Sequence, residues 1–363
     1  MNIIISALLL MLTGVGYSGW RLATLAPLPP LWRWIIGLGW GVIFVVVMLC
    51  FIMRTQIPVA VSRILNPLGL SWMVYLLYLV MIFLAIDLLR LIPLLRPWLQ
   101  PSWPLAGGVL CVLMVIFSWG SYTYHQKVRV PLEIQVEKPL EKPLKIIGIS
   151  DLHLGYTIGR DELEGWVERI NAEKPDLVLI AGDIVDGDVR PVVEDRLAEV
   201  LNRIEAPIYA SLGNHEYFGG EAHRRQFLSQ TKIQLLCDSV ATFGDAVYLI
   251  GRDDATNTGR KSLQQLTAGL DPSKPILVLD HQPHHLEQAE LAGVDFQLSG
   301  HTHRGQVFPL NLLVDRMYER SHGYHRRGKT QYYVSSGIGI WGGKYRIGTQ
   351  SEYVVIHLSG RAD

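Results

Sequence analysis

Acidic side chains are almost missing from the first third of this chain: between residue 1 and about 125 the one acid is Asp87, beside a handful of arginines. The imbalance is regional, because the whole sequence sets 33 Lys and Arg against 33 Asp and Glu. With charge balanced overall, no nucleic-acid partner is expected. Cysteine is scarce too. Cys50 and Cys111 lie in the apolar third and Cys237 stands alone in the polar remainder. That excludes a disulfide within the polar part and suits a reducing compartment. The start lacks a basic n-region and a small-x-small cleavage site, so a retained helix is preferred there to a cleaved signal peptide. Repeats and low-complexity tracts are absent from the polar part, whose length suits one domain with a substantial core.

Long apolar runs take the place of charge. A hydrocarbon core of roughly 30 Å needs about 20 mostly apolar helical residues. Four stretches qualify: about 2–20, 31–53, 70–92 and 103–124. Trp20, Trp32, Trp34, Trp98 and Trp103 lie near their ends, at the depth amphipathic rings favour. The expectation is a multi-pass cell-membrane region over 1–125, a linker over 126–144 with Pro131, Pro139 and Pro143, and a catalytic domain over 145–363. With four spans both termini share a side, together with Arg54, Arg63, Lys127, Arg129, Lys138 and Lys142; Arg21, Arg33, Arg90 and Arg96 face the other. The positive-inside rule then favours a cytoplasmic catalytic domain. Polar residues are too few within the spans for a pore. Asp87 and Arg90, three apart on a helix, read as a neutralised pair near the interface.

The polar part alternates strand and helix signals. Residues 145–150, 176–181, 207–211, 275–279 and 294–298 read as buried strands, with helices over about 161–170 and 192–204 and further strands at about 331–336 and 352–358. Polar blocks stand at or near the carboxyl ends of these strands, where open α/β sheets bind ligands. They are Asp151-x-His153, Gly182-Asp183, Gly213-Asn214-His215-Glu216, His281, and Gly300-His301-Thr302-His303. Carboxylate, imidazole and amide groups ligate hard or borderline divalent metals, and seven such ligands suit two ions sharing a carboxylate. Gly182 and Gly213 let the backbone turn tightly beside Asp183 and Asn214. His301 and His303, separated by one residue, can reach different ions of a close pair.

Asp-x-His, Gly-Asp-x-x-Asp (Gly182 to Asp186), Gly-Asn-His-Glu, a lone His and Gly-His-Thr-His, in this order, resemble the calcineurin-like metallophosphoesterase superfamily over roughly residues 145–360. Residues 149–155 and 298–303 resemble its bacterial membrane-associated branch, which includes the enzymes that cleave UDP-2,3-diacylglucosamine. The resemblance implies an α/β metallophosphoesterase domain, a two-sheet β-sandwich flanked by helices, behind the four-helix transmembrane region. It implies a first metal on Asp151, His153, Asp183 and His303, and a second on Asp183, Asn214, His281 and His301, with Asp183 bridging. Asp186 would support the site from behind. His215 would bind no metal and would stabilise developing charge or protonate the leaving-group oxygen. Two divalent ions roughly 3.5–4 Å apart would lower the pKa of a bridging water and orient an in-line attack. Mn, Mg, Fe and Zn all fit these donors.

Arg304 departs from the small residue often found after Gly-His-Thr-His in that branch. It stands where a guanidinium can grip a second phosphate or acidic head group, or it is a surface residue. The basic run 321–329 reads either as a lipid-facing patch or as a solvated loop. His284 and His285 read as helix-start residues, Asp253 and Asp254 as turn formers, and Trp341 to Lys344 with Arg346 as a glycine-rich rim loop. The expected function is hydrolysis of a phosphodiester, pyrophosphate or phosphomonoester, with four spans favouring a lipid-linked substrate at the bilayer. The alternatives are a tethered enzyme acting on soluble nucleotides or phosphoproteins, or a transport or interaction module under a regulatory domain.

Overall fold

The computed structural model describes residues 2–53 and 56–361. Arg54, counted above on the terminal side, lies outside them. The chain forms two compact units, one of residues 1–120 with 342–344, the other of residues 121–341 with 345–363.

The first unit is built on α1 (Asn2–Thr24), α2 (Pro30–Ile52), α3 (Val59–Leu89) and α4 (Trp103–His125), whose last five residues belong to the second unit. Among the described residues three helices, α2, α3 and α4, are long and apolar enough to cross a membrane. Among the described residues the expected count of four is therefore corrected to three. The described part of α1 carries Thr13, Gly14, Gly16, Ser18, Gly19 and Arg21, which dilute its apolar character. The expected third span also starts too late at residue 70. Its helix begins at Val59, directly after Pro58, and carries Pro67 internally. Apolar helices tolerate such a proline when neighbouring groups satisfy the freed carbonyl. Asp87 does pair with Arg90, at 3.1 Å, and also with Arg21 at 3.1 Å, while the Tyr17 hydroxyl donates to it at 2.6 Å.

The second unit runs through β1 (Lys127–Gln135), β2 (Leu144–Ile149), α5 (Arg160–Ala172), β3 (Leu177–Ala181), α6 (Arg190–Glu194), α7 (Leu197–Leu201), β4 (Ile208–Ser211), α8 (His215–Phe218) and α9 (Glu221–Leu228). It continues with β5 (Gln234–Leu235), β6 (Ser239–Phe243), β7 (Val247–Gly251), α10 (Leu263–Thr267), β8 (Ile276–Leu279), α11 (Glu287–Leu291) and β9 (Phe296–Ser299). A 3-10 turn (His303–Gly305), α12 (Leu310–Met317), β10 (Gly323–Arg327), β11 (Thr330–Val334) and β12 (Ser351–Ser359) complete it.

Two six-stranded mixed sheets result, ordered β1-β12-β2-β3-β4-β5 and β10-β11-β9-β8-β7-β6. In the first, β2 to β5 are parallel, while β12 runs antiparallel to β2 and parallel to β1. Side-chain alternation divides the core. Leu144, Ile146, Leu177 and Leu179 meet Leu277, Leu279, Phe296 and Leu298 of the second sheet in one cluster. Their neighbours Ile147, Ile149, Val178 and Ile180 pack under Leu163, Trp166, Val167 and Ile170 of α5. Ile276 and Val278 pack with Leu263, Leu266 and Leu286 on the outside of the second sheet. Strands buried on both faces read as continuous apolar runs, which is why the interior ones were recognisable.

Other differences follow from local backbone. Residues 127–135, within the expected linker, form β1 and pair along β12 from Lys127↔Ser351 to Gln135↔Ser359. The helix expected over 192–204 breaks into α6 and α7 at Arg196, which adopts φ 51°. Asp161, expected as a cap, lies in the first turn of α5, where its charge suits the helix dipole, and Gly159 is the cap residue. The basic run 321–329 is not a loop but mostly β10, antiparallel to β11.

Candidate metal centre

The strand ends deliver the polar blocks to one place, and the backbone there is unusual. Asp151, His153, Asp183, His301 and His303 adopt φ of 54, 46, 53, 71 and 46°. Side chains other than Gly rarely enter this left-handed region, and such strain clusters at functional sites. It is held by cross-links between the ends of β2 and β3: the Asp151 amide donates to the Gly182 carbonyl at 3.1 Å, and the His153 amide to that of Asp183 at 3.0 Å. Glycine is required where chains press together. A Cβ at Gly213 would stand 2.1 Å from Asp183 Oδ1, and one at Gly300 2.4 Å from Asp151 Oδ2.

Donor atoms of Asp151, His153 and His303 lie within 4.8 Å of one another, as do those of Asp183, His281 and His301. Asp183 Oδ2 stands between the groups, 3.6 Å from His153 Nε2 and 3.2 Å from His281 Nε2. Asn214 Oδ1 joins the second group, 3.2 Å from His281 Nε2 and 2.9 Å from His301 Nδ1. His281 Nδ1 lies 2.7 Å from the Ala181 carbonyl, a bond it can make only as donor, and this turns Nε2 to Asp183 and Asn214. His153 and His303 turn their Nε2 atoms towards each other at 3.1 Å, and His303 Nε2 lies 3.5 Å from Asp151 Oδ1. Buried lone pairs converging on a common point with carboxylates are what a divalent cation accepts, so this donor set fits a metal.

Electrostatics favours ligand-ready imidazoles at His301 and His303, whereas at His281 burial is overcome by the charges of Asp183 and Asp151, which hold it well above its ordinary value. Burial, helped by His281, lowers His301 to about 4, and burial with His153 and Arg346 nearby holds His303 well below its ordinary value. Both are neutral at physiological pH, as ligation demands. Burial pushes Asp151 up, whereas at Asp183 the adjacent His281 and His153 overcome burial and hold the carboxyl well down. His215 differs. Burial works against its charge, but the Asp186 hydrogen bond at 2.7 Å to Nδ1 and the charge of Asp183 prevail, and its pKa is raised. Its amide donates to Asp183 Oδ1 at 2.9 Å. Phe218 and Trp341 flank the ring, with centroids at 5.0 and 6.2 Å.

The remaining expectations scatter. Arg304 (φ 47°) turns to Asp315, with Nε 3.6 Å from its carboxylate. Arg346 is no rim residue: fully buried, it donates to the carbonyls of His303, Ser336 and Gly339 at 2.9, 2.5 and 2.9 Å. Asp254 forms a turn with the Thr256 amide and also holds Gln282, next to His281. His284 stacks on Tyr318 with centroids 4.9 Å apart. Most of the basic run is spent within the domain: His322 on Glu352, His325 on Glu319, Arg327 on Glu319 and Glu290, and Lys329 on Glu137, while Arg326 meets the Gly328 carbonyl. One contributor had gone unassigned. Buried Glu216 accepts the amides of Asp183, Val185 and Gly213, clamping two blocks together; burial and the Asp183 charge raise it to about 7 against the pull of those amides. Its place as the last residue of Gly-Asn-His-Glu was the available signal.

A two-sheet α/β domain that gathers buried His and Asp donors at its strand ends is a scaffold for metal-dependent chemistry. The sequence model for calcineurin-like phosphoesterases matches residues 144–305. An uncharacterized metallophosphoesterase of Campylobacter jejuni is 33% identical over 261 residues, 69% of each chain. One from Helicobacter pylori is 35% identical over 227 residues, 60% of each. A transmembrane protein with metallophosphoesterase domain from Danio rerio is 32% identical over 273 residues, 69% of this chain and 61% of that relative. The chain thus spans 60–69% of the lengths of these relatives. It belongs to the calcineurin-like metallophosphoesterase family.

Proposed function

We propose that the chain is a membrane-anchored phosphoesterase that hydrolyses a phosphodiester, pyrophosphate or phosphomonoester bond of a lipid-linked substrate. The observation carrying this reading is the placement of Asp183 Oδ2 between two donor groups. In it Asp151, His153, Asp183 and His303 would hold one divalent ion, and Asp183, Asn214, His281 and His301 a second. Such ions, when bound, supply Lewis-acid activation of water and of the phosphoryl group. The rest falls to the chain. Glu216 fixes the loops that carry Asp183 and Asn214. Asp186 orients His215 through Nδ1, leaving Nε2 to deliver a proton to the leaving-group oxygen, and the raised pKa keeps that proton in place near neutrality. Phe218 and Trp341 limit water around the ring.

Three helices of spanning length, and a relative named as a transmembrane protein, support membrane association. A working division keeps residues 1–125 as the membrane region and 145–363 as the catalytic domain, with 126–144 between them supplying β1. Multi-pass topology with this domain on the cytoplasmic side rests on the basic residues of the loops.

Purified full-length protein supplied with manganese is expected to hydrolyse a chromogenic phosphodiester. His215→Ala should lower kcat by about 10²–10⁴-fold, and Asp183→Asn should abolish turnover, both with unchanged circular dichroism. A wild type inert across Mn, Mg, Fe and Zn and across phosphodiesters, pyrophosphates and monoesters ends the proposal. Comparing lipid-linked with soluble phosphates in one panel then decides the substrate class.

A further inference from the structure

In α12, Leu310, Leu313, Val314 and Met317 follow the i, i+3, i+4, i+7 spacing that makes one apolar face. The same spacing in α5 is buried at Leu163, Trp166, Val167 and Ile170. In α12 it points outward: Leu310, Leu313 and Met317 are 41, 57 and 64% exposed, and the buried residue of the helix is polar Asn311. Burying such side chains would be favourable, a gain this domain forgoes. Exposed Arg316 and Arg320 flank the stripe. The acid of the helix, Asp315, is engaged by Arg304 and by the Ser321 hydroxyl. The outward surface is therefore apolar and cationic, unlike the basic run 321–329, where His322, His325, Arg327 and Lys329 are paired within the domain.

We propose that α12 is an interfacial helix that seats the catalytic domain on an anionic bilayer. Leu310, Leu313 and Met317 enter the boundary between headgroups and acyl chains, and Arg316 and Arg320 meet lipid phosphates. The helix is firmly fixed to the metal centre. The Gly305 backbone presses against it so closely that a Cβ there would lie 2.5 Å from the Asn311 amide nitrogen. The Thr302 hydroxyl donates to the Ser321 carbonyl at 2.6 Å, and the Tyr318 ring, just after α12, stands 6.4 Å from that of His301. Docking α12 would thus hold the centre at headgroup level. The inference rests on the membrane association proposed above, but not on the substrate being lipid-linked.

The test uses the full chain in lipid nanodiscs, with Cys50, Cys111 and Cys237 replaced by serine and a fluorophore on Leu313→Cys or Met317→Cys. Leu291→Cys on α11, a 74% exposed position, serves as reference, and a variant keeping only Cys111 reports on α4. Lipids brominated along the acyl chain should quench the labels at 313 and 317 at least about twofold more than the label at 291, the depth expected of an interfacial helix. Quenching should increase with phosphatidylglycerol and weaken with salt. Quenching at Cys111 but not at 313 or 317 overturns the proposal and leaves anchoring intact; quenching at none of them defeats both. A blue-shifted label at 313 that bromine does not quench also overturns it, since a second copy or another protein then covers the stripe. No turnover is measured, so a negative result leaves the hydrolase reading standing, and an inert enzyme leaves this one standing.

Discussion

At the scale of single residues, the centre is expensive before any ligand arrives. Five of its strand-end residues, Asp151, His153, Asp183, His301 and His303, sit at φ 46–71°, each costing of order 1–3 kcal/mol where no glycine or asparagine relieves it. This makes Asp183→Asn the cleaner probe than Asp183→Ala, because Asn tolerates the left-handed region and changes charge alone. Gly213→Ala forces a methyl group against Asp183 Oδ1; a loss of about 1–3 kcal/mol in stability, together with reduced metal content by elemental analysis, is expected. Arg346→Met should cost about 3 kcal/mol or more, because several buried carbonyls lose a charged donor at once. Thermal melts read both. The clustering of strand-end donors was legible because glycine, acid and imidazole recur in short blocks after apolar runs. Arg346 was not, because the backbone carbonyls it serves leave no trace in sequence. Arg304 was open between two readings in the sequence for a related reason: adjacency to His303 says nothing of where a side chain turns, and here it turns to Asp315.

Elements were legible according to their depth in a sheet. Interior strands β2, β3, β4, β8, β9, β11 and β12 declare themselves as apolar runs, while β7, also interior, is missing from the strands read above. The edge strands β1, β5, β6 and β10 do not, since one side of each lacks a neighbour and polar residues interrupt the run. Pro131, read as a linker stiffener, is tolerated in β1 because an edge strand can spare an amide. β1 is nevertheless tied in. Arg129 on it and Lys145 on β2 both bond Glu173 at 2.7 Å, the residue that ends α5. The Arg129 hydrogen bond foremost, then Lys145, hold that carboxyl down to about 2 against burial. An unfolded Glu titrates near 4.3, so this stabilisation is complete above that pH and vanishes as pH falls through about 2. Glu173→Gln should therefore lower the melting temperature at pH 6–7 and by less at pH 2–3; an equal loss at both ends refutes the assignment.

For the whole molecule, metal and fold should be linked. Buried Asp151 and Asp183 face each other across a site built for cations, so chelation should abolish turnover and destabilise the second unit. A ligand at about 100 times its Kd contributes roughly 2.7 kcal/mol, and calorimetry with and without chelator should show a fall in Tm that added metal reverses. Labelling single engineered cysteines from either side of the membrane decides the orientation that the loop arginines favour. The division into an apolar and a polar part was plain from composition, whereas the count of spans depended on the small and polar residues of α1. One consequence concerns time rather than structure. The sheet order β1-β12-β2 inserts the last strand between the first two, so β1 and β2 acquire their shared neighbour only after residues 351–359 are made. At 5–20 residues per second, the nascent chain carries two unpaired strand edges for on the order of ten seconds or more. Over that interval those edges are open to mispairing and aggregation.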